Sequence, residues 1–185
     1  SFLVKYKPVN NLLLLFILSA IWGSAFIAIK ISLDYFAPVS VASYRLIVAS
    51  VFLLIFYLIG QYKTLLSKKD LIMLVFVGIV GNFIPFYLIS WSEQHIQSST
   101  AGILMGIGPV LTLVLSHFFT KDDKFTSIKL VSIIVGFIGV LFIFEIDTLF
   151  NFQSSNQIQL ISKFLIIIAA LGYMISNIVA YNTLK

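Results

Sequence analysis

Six stretches of this chain are long enough and apolar enough to cross a membrane: Leu12–Ile31, Pro38–Leu58, Leu71–Trp91, Thr100–Phe119, Ile128–Phe144 and Leu160–Tyr181. A helix needs about 17–25 mostly apolar residues to traverse a hydrocarbon core. In lipid no water is present to pair with exposed backbone N–H and C=O groups, so each span has to satisfy them internally, as a helix does. A transmembrane barrel would instead alternate apolar and polar residues, and these stretches do not. Hydrophobic residues fill 60% of the chain and charged ones only 10%. Soluble domains carry about 25% charged residues, and this chain has too little polar surface to coat a water-soluble core. The expected fold is therefore an all-α, polytopic transmembrane helix bundle of six spans.

The loops fix an orientation. Lys5 and Lys7 precede the first span, Lys63, Lys68 and Lys69 separate the second from the third, and Lys121, Lys124 and Lys129 lie around the connection from the fourth to the fifth. Lys185 follows the sixth, whereas the opposite side has only Lys30 and Lys163. Basic residues gather on the cytoplasmic side, so the N-terminus is expected there and the loop at 146–159 outside. The net charge of +5 has this topological origin, and no basic run interleaved with aromatics points to nucleic acid. The Leu12–Ile31 stretch is too long for a signal-peptide core and is read as a retained span. With no cysteine in the chain, disulfides and zinc-thiolate or iron–sulfur sites are excluded.

Polar residues inside the spans are the candidate functional groups. At about 1.5 Å rise per residue, Trp22 lies roughly 15 Å from the start of span one, Asn82 roughly 18 Å into span three and Tyr173 roughly 15 Å into span six. All three fall near one depth. An unpaired amide is costly in hydrocarbon, so this level is either a substrate cavity or a layer of interhelical hydrogen bonds. Candidate lining residues are Trp22, Ser24, Asn82, Tyr87, Met105 and Tyr173. Pro85 and Pro109 each remove a helical hydrogen bond, freeing the carbonyls of Gly81 and Met105. Such breaks either line a transport site or kink a helix for packing. Gly102 and Gly106, with Gly136 and Gly139, read as close helix packing or, for the first pair, as a dimer face. Arg45 is the one charge well inside a span, about 10 Å from the outer edge, and needs a partner. Glu93 is its expected partner, Asp34 the second candidate, in a gating or structural pair. His95 and His117 are expected at the interfaces. No HExxH, intramembrane aspartate pair, Gly-x-Ser-x-Gly or phosphate-binding loop is present, so no enzymatic activity, cofactor or metal is expected.

Four elements in order carry a family resemblance: SAIWGSAFIAIK (Ser19–Lys30), SYRLIVAS (Ser43–Ser50), FYLISWSEQHIQSSTAGIL (Phe86–Leu104) and IGPVLTLVLSHFF, followed by GFIGVLFIF. Together they resemble an EamA-type member of the drug/metabolite transporter superfamily over about Leu12–Phe144. The likeness continues, more weakly, into the sixth span, where FLIIIAALGY echoes LLLLFILSAIW of the first. The resemblance implies residues 12–145 as a five-helix repeat, 146–159 as an extracytoplasmic connection and 160–185 as the start of an inverted second repeat. It also implies ten helices in the whole transporter and export or exchange of small metabolites, often amino acids, across a cell membrane, the bacterial inner membrane. Trp22 and Ser24 fall on the first-helix motif, Arg45 on the second-helix arginine, Glu93 and Gln94 on the third-span motif, and Pro109 on the fourth-span proline. The chain departs from the family where TKDDK follows span four, with Asp122 or Asp123 in place of the usual Glu. As six spans, it is expected to be a fragment or to pair with a missing second repeat or a second copy. The alternatives are a small-multidrug-type dimer or channel-like assembly, and a non-transporting membrane scaffold. The expected partners are the lipid bilayer and a small-molecule substrate.

Overall fold

The structure is a computed structural model that describes residues 11–60, 67–119, 126–143 and 156–183. All regular elements there are helical: α1 (Asn11–Ser32), α2 (Pro38–Ile59), α3 (Lys68–Gly78), a π-helical turn (Ile79–Phe83), α4 (Ile84–Glu93), α5 (Ser98–Met105), α6 (Gly108–Phe119), α7 (Ser127–Ile143) and α8 (Gln157–Thr183). Five continuous segments are long and apolar enough to span a membrane: α1, α2, α3 through α4, α5 through α6, and α8. The sixth expected span is α7, a shorter apolar helix of 17 residues. Over the described residues the expected spans thus coincide with helix, apart from the turn at Gly106 and Ile107. The flanking lysines at 5, 7, 63, 121, 124 and 185, Asp122 and Asp123, and most of the 146–159 connection lie outside the described residues.

Local chemistry sets the boundaries. Pro38 opens α2, where its missing N–H costs nothing. Ser67 and Asp70 form a reciprocal capping box on α3: Asp70 N–H donates to Ser67 Oγ (3.2 Å) and Ser67 N–H donates to Asp70 Oδ2 (2.9 Å). The π turn has a cause in Pro85. A proline ring in a regular helix clashes with the carbonyl four residues earlier, here Gly81, and cannot donate to it. The ladder widens instead, and Ile84 N–H donates to Ile79 O, five residues back. Near Pro109 the fourth span is interrupted by a two-residue turn. α5 stops at Met105, Gly106 N–H caps the carbonyls of Gly102 and Ile103, and α6 restarts at Gly108.

The helices alternate in direction. Lys30 at the end of α1 meets the end of α4, and Ser98 at the start of α5 reaches Phe26 of α1. At the opposite pole Asn182 of α8 donates to Phe119 O at the end of α6 (3.1 Å). α8 therefore runs parallel to α5–α6 and antiparallel to α1. It is the central helix, packing against α3, the π turn, α4, α5 and α6. Its buried face repeats with helical period: Ser162, Ile166, Ala169, Ala170 and Ser176. Small residues on that face let backbones approach closely. A Cβ at Gly172 would lie 2.8 Å from Val80 O and 3.2 Å from Pro85 Cγ, and one at Gly81 would lie 2.0 Å from Ser176 Oγ. These two glycines, on the π turn and on α8, make the tight contact. The glycines singled out from sequence do not: a Cβ at Gly102, Gly136 or Gly139 would meet nothing within 4 Å.

The core cluster joins Ile29, Val41, Ile89, Ile96, Ala101, Ile166 and Ala169 from α1, α2, α4, α5, α8 and the α4–α5 turn. Elsewhere large apolar side chains face outward along α1, α2 and α3. An apolar surface this extensive suits lipid and would not stay dispersed in water.

Candidate functional site

Three helices converge on Phe86. The Arg45 guanidinium of α2 stacks 4.1 Å from the centre of the Phe86 ring of α4. Tyr173 of α8 meets the same ring edge-on at 6.0 Å. Both contacts use the ring quadrupole, a cation over the negative face and an aromatic in T-shaped geometry. The expected Arg45–Glu93 pair is replaced by this stack. Glu93 and Tyr173 feel the guanidinium charge, but Glu93 Oε1 has no hydrogen-bond partner and Oε2 accepts from Ser98 Oγ at 3.1 Å. Asp34 lies exposed in the α1–α2 turn. The reason is reach: Arg45 sits about two turns inside α2 from the bundle end where Glu93 lies, so its side chain lies across Phe86, two turns before Glu93.

Lys30 is the residue that sequence reasoning left without a role. Its ammonium donates to the carbonyls of Glu93 and, at 3.2 Å, Ile96. It thereby caps the end of α4, where unpaired carbonyls and the negative end of the helix dipole favour a cation. The Glu93 carboxylate is fully buried and also feels the Lys30 charge. Ser90 and Ser92, on the preceding turn, are buried with hydroxyls that have no hydrogen-bond partner. Lys30 stood out in the sequence only as a basic residue at a helix end; its partners are about sixty residues away.

The other expected residues divide into two groups. Met105 and Tyr173 pack against the core cluster, and Asn82 is half-buried in the π turn, its Nδ2 donating to Val77 O at 3.3 Å. Pro85 is buried beneath Gly172. Trp22, by contrast, is 71% exposed, and Ser24 donates to Ile21 O of its own helix. Tyr87, Gln94 and Pro109 are also exposed. The structure therefore brings together Arg45, Tyr173 and, through the core, Met105, but it does not join Trp22 or Ser24 to them. Beside the Phe86 stack, α1 and α2 enclose a half-open cavity of about 310 Å³ lined by Ala25, Ala28, Ile29, Ser32, Phe36, Val41, Tyr44 and Arg45. Among the described residues no group of three or more His, Asp or Glu side chains converges as a metal site would.

The profile of the EamA-like transporter family matches residues 10–145. An uncharacterized transporter of Archaeoglobus fulgidus is 32% identical over 67% of this chain and 44% of its own length. The uncharacterized transporter YoaV of Bacillus subtilis is 24% identical over 85% of this chain and 52% of its own. A probable terminal-alkyne amino-acid exporter of Streptantibioticus cattleyicolor is 33% identical over 55% of this chain and 34% of its own. The chain spans about half the length of the curated relatives it matches. No solved structure matches it. With the family profile covering most of the sequence and laid over apolar, twice-interrupted helices, this chain belongs to the EamA-like transporter family.

Proposed function

We propose that the chain forms the first repeat, and the first helix of the second, of a secondary transporter that moves small metabolites by alternating access. The observation that carries this reading is the relation between α1 and α8. They run in opposite senses, and both pack against α4 and α5. Helices that open two inverted repeats would be placed this way, and inverted repeats build many secondary transporters. The interruptions support it: the π turn and the Gly106–Ile107 break place irregular backbone within spans three and four, as discontinuous helices do around transport sites. Amino acids are the substrate class to test first, because one relative is named as an amino-acid exporter. The N-terminus is cytoplasmic in this reading, in line with the lysine bias.

The test is counterflow of labelled amino acids in vesicles carrying the complete gene product, with Asn82→Leu as the comparison. Transport above empty vesicles, cut by the substitution while the protein still melts normally, supports the reading; no transport of any amino acid removes that substrate class. A second reading, a dimer of short chains, draws on the open surface at Gly102. Gly102→Cys in membranes should then give a disulfide-linked dimer under mild oxidation, and a monomer-only pattern counts against it.

A further inference from the structure

The charges near Phe86 do not balance. Lys30 lies on the carbonyl of Glu93, and the charges of both Lys30 and Arg45 act on the Glu93 carboxylate, so two cations face one anion and one positive charge is left over. Arg45 is the cation without a hydrogen-bonding acceptor. Its guanidinium is stacked on one face by Phe86, and among the described residues no acceptor takes any of its N–H donors. A cation within a membrane span is retained only where something compensates it. A guanidinium fork is shaped for two parallel hydrogen bonds to a carboxylate or phosphate.

This fork opens on the α1–α2 cavity. The walls Ala25, Ala28, Ile29, Phe36 and Val41 are apolar, with Ser32 and Tyr44 as the other polar groups. Ser32 is committed to Ala28 O at 2.7 Å, and Tyr44 packs edge-on against Phe36 at 5.7 Å. The first turn of α2, the positive end of its dipole, lies at the same end through Val41, with Phe36 in the turn just before it. A volume of about 310 Å³ falls at the small end of ligand pockets and equals about ten water-sized groups.

We propose that the α1–α2 cavity is a binding site for the anionic group of a small amphipathic molecule, held on the Arg45 guanidinium with its apolar part against Ala25, Ala28 and Val41. The shared chemistry is a carboxylate or phosphate bearing a short aliphatic portion, whether a solute or the headgroup end of a lipid. As a step in transport the site rests on the transporter reading; as a binding site it does not.

The experiment uses the complete gene product in a maltoside detergent, which carries no anion. Hexanoate and phosphatidylglycerol are the probes, with hexanol as the uncharged control, read by saturation-transfer NMR for the first and last and by native mass spectrometry for the lipid. Saturable binding of hexanoate identifies a solute site, and retention of the lipid alone identifies a lipid site. In either case Arg45→Leu should weaken binding at least about tenfold, the loss expected for a charge-assisted pair. Arg45→Lys, which keeps the charge but not the fork, should retain part of it. Ala28→Phe, which fills the cavity and leaves Arg45 in place, should abolish it and covers the case in which Arg45→Leu does not fold. Binding of hexanol as strong as hexanoate, binding unchanged by both Arg45→Leu and Ala28→Phe, or no binding of either anion overturns the proposal. Anion binding without counterflow of any amino acid would remove that substrate class and leave the site standing.

Discussion

The contact between Gly81 and Ser176 gives a prediction that can be worked from distances. In Gly81→Ala the new methyl would sit 2.0 Å from Ser176 Oγ and 2.4 Å from Ser176 Cβ. Carbon atoms rest about 3.5–4.0 Å apart, so the overlap with Cβ exceeds 1 Å by any measure. Rotating the serine moves Oγ but not Cβ, which is fixed to the α8 backbone. The π turn and α8 must therefore separate, and overpacking of this kind costs about 1–3 kcal/mol. Ser176→Gly removes both offending atoms; by itself it costs about 0.5 kcal/mol in helix propensity. The double variant should be no less stable than Ser176→Gly alone, so the cycle should show a coupling of about 1–3 kcal/mol. Denaturation in mixed detergent micelles, followed by circular dichroism, gives the four values. Purely additive effects would mean that the π turn and α8 are not in contact, and the central position of α8 would fall with them.

Two further variants probe the same packing and the cap on α4. Gly172→Ala, whose methyl would meet the rigid Val80 carbonyl at 2.8 Å, should destabilise by about 1–3 kcal/mol, whereas Gly136→Ala, with nothing within 4 Å, should be neutral or slightly stabilising by the same micelle assay. Lys30→Met removes a charged donor from two carbonyls at the end of α4 and should cost about 1–3 kcal/mol; hydrogen exchange should rise in the α4–α5 turn, and unchanged exchange there would show that Lys30 does not cap it.

Hydropathy is a property of consecutive residues, so the spans could be read directly; Pro38 and Pro85 could be read too, because the missing N–H acts on its own helix. The site was harder because it depends on which way each helix is turned. Depth counting put Arg45 and Glu93 within a few turns of one another, but only rotation about the helix axes decides that Phe86 takes the guanidinium and Lys30 takes the α4 carbonyls. Trp22 and Tyr173 match in depth for the same one-dimensional reason, yet Tyr173 turns inward and Trp22 does not. The glycines show a readable signal that a GxxxG search passes over. Ser162, Ala169, Ala170, Gly172 and Ser176 mark a small-residue face on α8 with helical spacing, and that face, not Gly102–Gly106, makes the close contact.

The central place of α8 also bears on the order in which the protein can be assembled. Gly81 and Gly172 are 91 residues apart (172 − 81), and ribosomes add roughly 5–20 residues per second. The groove at the π turn therefore waits roughly 5–20 s for the helix that fills it. During that interval spans three and four are inserted without their main neighbour, exposing the buried polar groups of α4 to lipid. Their late consolidation makes this stage the point at which a membrane chaperone would have the most to shield.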